Sequence, residues 1–111
     1  MKVLSLSAIP TEGVSHNPGI AKQVMLRNGE LPHLTQFAQA RFAPGQVAVA
    51  HAHANMYEVF FVESGVGRMT VDGRAHHLEV GSCVAVEPGE VHELANIGTA
   101  ELVVTYFGIE R

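Results

Sequence analysis

The chain of 111 residues has a single cysteine, no tryptophan and few charged side chains, and each scarcity removes a class of protein. With Cys83 alone no intrachain disulfide can form, which fits a reducing compartment, and a cytoplasmic location is expected. Cys83 itself reads as a small core residue, the usual fate of a free thiol. The seven basic residues, Lys2, Lys22, Arg27, Arg41, Arg68, Arg74 and Arg111, are scattered along the chain against eleven acidic ones, for a formal net charge of −4. That distribution leaves no electrostatic footprint for nucleic acid. No apolar run approaches the roughly 20 residues that cross a bilayer, so no membrane partner is expected. At the start, Ser5 and Ser7 alternate with apolar side chains and Pro10 ends the run, so residues 1–10 read as a first strand and not as a secretory leader.

What the sequence does have is apolar and rich in turns. Hydrophobic residues make up 47% and charged ones 16%, with eleven glycines and five prolines, a balance suited to a folded all-β chain with many tight connections. The length allows one domain over 1–111, long enough for a real core and too short for two. Residues 11–19 read as a turn-rich connection, and Asn28-Gly29 sits where a tight hairpin turn belongs. Strand candidates then follow at short, even spacing from Leu34 onward, with glycine or proline at most joints and no helical periodicity of useful length. In one of them, 57–63, an inward Glu58 takes Phe60 and Val62 with it, which leaves Tyr57, Val59 and Phe61 facing out. That outer face is too apolar for water, and a covering N-terminal segment or a second subunit is expected. A homodimer with a contribution from residues 1–40 is the preferred reading, since two-fold dimers are the commonest assembly of soluble chains.

Two short motifs carry the chemistry: Gly45-x5-His51-x-His53-x4-Glu58-x6-Gly65 and Gly81-x6-Pro88-Gly89-x2-His92-x3-Asn96. Strand residues two apart share a face, with Cα atoms roughly 6.5–7 Å apart, so His51 and His53 can reach one ion from the same side. Glu58 and His92 each open another apolar run, and only a turn separates them from the same mouth. The remaining histidines, His16, His33, His76 and His77, read as exposed or locally hydrogen-bonded. His76 and His77 are adjacent, so at most one can face inward. Glu87, Glu90 and Glu93 read as a solvated acidic rim.

These motifs resemble the paired signature of the cupin superfamily. The resemblance covers about residues 41–109, and it implies an all-β, double-stranded β-helix (jelly-roll) barrel of the small single-domain kind. Carried over by position, it implies His51, His53, Glu58 and His92 as ligands of one divalent transition metal, with iron or manganese favoured and nickel, zinc, cobalt or copper compatible. The glycines and Asn96 fill turn and strand-end places. The second motif departs from the family pattern in its turn, where Glu87 precedes Pro88 and Ser82 follows Gly81, and these changes leave the ligand set intact.

Three neutral imidazoles and one carboxylate leave a divalent ion with residual positive charge and two open positions, a layout suited to an oxygen-rich small ligand. Phe60, Val62 and Leu94 are expected to line the interior with one or two of Gln36, Gln39, Arg41 and Tyr106. Gln36 and Tyr106 are the residues named as orienting a substrate or moving a proton. Two functions follow from the resemblance. One is a small metalloenzyme acting on a keto acid, hydroxy acid, enediol or sugar derivative, as a dioxygenase, isomerase, lyase or decarboxylase. The other is a non-catalytic module that binds metal or a small ligand and signals to a partner.

Overall fold

A computed structural model describes residues 1–111. Ten strands follow one another in the order β1 (Glu12–Val14), β2 (Asn17–Arg27), β3 (Leu34–Phe42), β4 (Val47–His51), β5 (Met56–Ser64), β6 (Gly67–Val71), β7 (Arg74–Leu78), β8 (Cys83–Val86), β9 (His92–Asn96) and β10 (Leu102–Glu110). They form a six-stranded sheet, β1-β2-β3-β10-β5-β8, and a four-stranded sheet, β4-β9-β6-β7. Every pairing is antiparallel. The alternation expected for half-buried strands is clear on β5, where Glu58, Phe60 and Val62 are buried while Phe61 is 42% exposed. The core between the sheets draws on nearly every strand, with Ile20, Met69, Leu102, Val62 and Val104 almost wholly enclosed.

Turn chemistry holds the strands in register. Gly65 sits at φ +89, and a Cβ there would lie 2.5 Å from the Glu101 carbonyl oxygen, so no other residue fits this joint between β5 and β6. Asn96, buried at the end of β9, donates from Nδ2 to the carbonyls of Phe42 and Ala100, both at 2.9 Å. Its Oδ1 accepts from the Gly98 amide at 2.9 Å. One side chain thereby ties the ends of β3, β9 and β10.

The N-terminal part differs from the sequence reading. Residues 1–10 contain no strand, only a 3-10 turn over Leu6–Ala8. That turn is fixed from outside, as the Gln23 amide donates to the carbonyls of Leu6 and Ile9, each at 2.8 Å. The supposed connection over 11–19 instead contributes β1 and the start of β2, held close because Gly13 packs directly on Pro18. The Asn28-Gly29 turn exists, but a second turn at Leu31–Leu34 with His33 at φ +67 lengthens the hairpin between β2 and β3. Cys83 also departs from expectation. It is exposed, because parity on β8 puts Val84 and Val86 inward and Cys83 with Ala85 outward.

Candidate metal centre

A regular strand would not deliver His51 to the interior. Ala48 faces inward, so uninterrupted alternation would send Ala50 in and His51 out. The β4–β9 ladder instead shifts register between Ala48 and His51, a bulge that turns His51 inward beside His92, its cross-strand partner. His53 lies beyond the end of β4, where its carbonyl accepts the Gly89 amide at 2.7 Å and binds the first motif to the turn of the second. Glu58 arrives from β5 of the opposite sheet, and His92 opens β9. The structure thus brings all four sequence-derived candidates together, with ligating atoms within 4.8 Å of one another.

Backbone carbonyls set the tautomers. His51 Nδ1 lies 2.8 Å from the Val49 carbonyl and His92 Nδ1 lies 3.0 Å from the Glu90 carbonyl. A carbonyl only accepts, so both rings carry hydrogen at Nδ1 and turn Nε2 toward the cluster. His92 Nε2 is 3.1 Å from Glu58 Oε1. His53 Nε2 is 2.9 Å from the same oxygen but too poorly aligned to hydrogen-bond, and it is buried with no hydrogen-bond partner. A buried polar atom without a partner is costly. Its position among two other imidazoles and a carboxylate is what a divalent cation would satisfy, so the residues present fit a metal ion.

Electrostatics agree with this fit. Burial works to raise the Glu58 carboxyl, but the hydrogen bond with His92 and the pull of the three imidazoles bring it below its ordinary value. Burial pushes His51 down, which favours the neutral ring that a ligand needs. Burial also works against a charged His92, yet its contacts with Glu58 and Glu90 hold it above the usual histidine range. Both hydrogens of His92 are therefore in use when only Glu58 faces it.

The four donors open onto a cavity of about 100 Å³ between the sheets. Phe60, Leu94, Gln36 and Tyr106 line it, as the sequence reading allowed, whereas Val62 packs in the core away from it. Gln39 and Arg41 do not line it: both lie on the outer face, Gln39 beside Thr105 at 3.4 Å and Arg41 paired with Glu101 at 2.8 Å. Burial, followed by the charge of Glu58, raises the Tyr106 phenol, which stays protonated and able to donate. Two titratable lining residues escaped the sequence reading. His16, in the turn between β1 and β2, is exposed on one side and stacks on His51 on the other, with centroids 3.6 Å apart and planes at 16°. Lys22 is buried on β2, and its only sequence signal was a lysine between inward Ile20 and Val24. His33, His76 and His77 are exposed as expected, while Glu90 spends its carboxylate on the Glu87 amide at 2.7 Å.

Comparison with known proteins places this architecture. A family model described as a cupin domain matches residues 38–107. The chain is 29% identical over 76 residues to the uncharacterized HTH-type transcriptional regulator YdiP of Escherichia coli K12, across 68% of this chain and 25% of that protein. This chain therefore spans about a quarter of that relative's length. A predicted oxalate decarboxylase from Thermotoga maritima superposes with a TM-score of 0.92 at 22% identity, covering 99% of this chain and all of that one. A sugar phosphate isomerase from Silicibacter pomeroyi gives a TM-score of 0.83 at 20% identity over 99% of this chain and 76% of that one. At such identities these likenesses establish the fold alone. The family match spans most of the strands described above and all four clustered residues, and the chain belongs to the cupin family.

Proposed function

We propose that the chain is a small metalloenzyme that holds one divalent transition metal, iron or manganese first, through His51, His53, Glu58 and His92. The carrying observation is the cluster itself: four donors within 4.8 Å, one of them a buried Nε2 without a partner, at the side of an open cavity. A cation held there would supply Lewis-acid polarisation of a chelated oxygen. The chain's own residues do the rest. Phe60, Leu94 and Val104 exclude water, and Tyr106, kept protonated, offers a hydrogen bond to a bound oxygen. Glu58 is committed to the cluster and does not act as general base. The ligand class is a small oxygen-rich acid able to chelate.

Elemental analysis of protein purified without added metal, followed by titration with oxalate, short hydroxy acids and keto acids, tests this reading. Cobalt substitution supplies a spectrum if the native ion is silent. One ion per chain is expected, lost by about tenfold or more in His51→Ala, since even residues that merely support a ligand change metal affinity by that much. Unchanged loading in that variant removes the ligand assignment. A loaded site that no acid perturbs favours the second reading, a sensing or binding module, which has its own support in the likeness to part of an HTH-type regulator.

A further inference from the structure

Lys22 is an anomaly that the metal centre does not explain. It is 8% exposed, yet no carboxylate lies within ion-pair distance of it. Its Nζ donates to Gln36 Oε1 at 3.2 Å, the one hydrogen bond it makes, and two of its three donors have no protein acceptor. Glu12, its cross-strand neighbour, turns away to Arg27 at 2.9 Å. Burying an ammonium this way is unfavourable unless something anionic meets it.

The register shows where that anion would sit. Gln36 aligns with Gly108 on β10, and Gly108 aligns with Glu58 on β5. Gln36 and Glu58 are thus two strand spacings apart, roughly 9.5 Å between backbones, both facing the cavity. The wall near Lys22 is kept low by Ala38 and Ala40. Lys22 and Gln36 therefore form a polar end of the cavity opposite the ligand cluster. Charge points the same way. A divalent cation, the Glu58 carboxylate and the Lys22 ammonium together leave two positive charges, and Glu58 is the only acidic residue in the lining.

We propose that Lys22 and Gln36 form an anion-recognition site that selects small dianionic acids, chelating at one end and held by the Lys22 ammonium at the other. This inference rests on the metalloenzyme reading and narrows its substrate class to acids with a second carboxylate or a phosphate. The test compares ligands that share a chelating end: 2-oxoglutarate against 2-oxopentanoate, and 3-phosphoglycerate against glycerate, each by calorimetry on metal-loaded protein. The diacid of at least one pair should bind about tenfold or more tightly than its partner, the effect of one charge-assisted hydrogen bond. The pair with the larger gap identifies the second anion. Lys22→Met should bring that gap within about twofold, because only the charge is removed while the stem still packs. Lys22→Arg should preserve it, and metal content should stay the same in both variants, which also reports that they fold. Equal affinities within both pairs, or a preference that survives in Lys22→Met, overturns the assignment while leaving chelation intact. Binding of none of the four acids to fully loaded protein rejects the chelation reading itself, and this one with it.

Discussion

His92 shows how much one side chain can be asked to do. Its Nδ1 hydrogen is held by the Glu90 carbonyl and its Nε2 faces Glu58, so the metal-free ring carries two hydrogens and its pKa stands above the usual value. Only the neutral ring can ligate. Metal affinity should therefore weaken as pH falls through this raised range, earlier than an unperturbed imidazole at about 6.5 would require. Loading at or below that pH should release about one proton per ion, measured by calorimetry in buffers of differing ionisation enthalpy. Zero proton release would show that His92 is already neutral. At this scale the sequence was legible where two spaced motifs and the family resemblance singled out residues, as with His51, His53, Glu58 and His92, which the fold brings together. It was opaque where parity had to be carried across turns. Nothing in the local sequence told Arg41, on the outer face, from Lys22, inside the barrel, because the β2 bulge near Met25 and the β2–β3 hairpin lay between the two and broke the parity that would relate them.

Among elements, the irregular places position the site. The bulge in β4 rotates His51 inward, and the β1–β2 turn lays His16 over it. Neither can be read from alternation, since a bulge resets the period of two that the reading depends on. Glycine and proline marked the joints well, and strands follow one another at short spacing from Leu34 onward as the sequence proposed. Residues 1–10 form no strand, because their alternation finds no strand partner and is folded back by Gln23. Asn96 offers the clearest test of how these elements are held. Asn96→Ala would leave the Phe42 and Ala100 carbonyls and the Gly98 amide without their partner, with a loss of about 2–3 kcal/mol. Thermal unfolding should move down by about 10 °C. A shift under about 2 °C would mean that the strand ends hold without it.

The whole molecule has one face that its own chain leaves apolar. On the outside of the six-stranded sheet, Leu26, Phe37, Phe107, Val59 and Ala85 fall in register across five strands. Phe37 and Phe107 pack edge to face, while Phe61 and Ile109 are 42% and 43% exposed. The N-terminal turn docks at Gln23 on the β2 side and leaves Phe61 open. A contiguous apolar patch rarely faces water in a soluble chain. We propose that a second copy of the chain covers it, with Tyr57, Val59 and Phe61 near the interface and residues 1–40 contributing at its margin. A two-fold arrangement sets the apolar row against itself, so one surface serves both partners. Sedimentation at micromolar concentration should report twice the 11.9 kDa chain mass. Phe61→Lys, at an already exposed position, should give a monomer with unchanged metal content, because the opposite face of β5 holds Glu58 and the substitution does not reach it. A wild-type monomer rejects the dimer and leaves the barrel and its His/Glu cluster as described. A Phe61→Lys dimer would move the interface off this face.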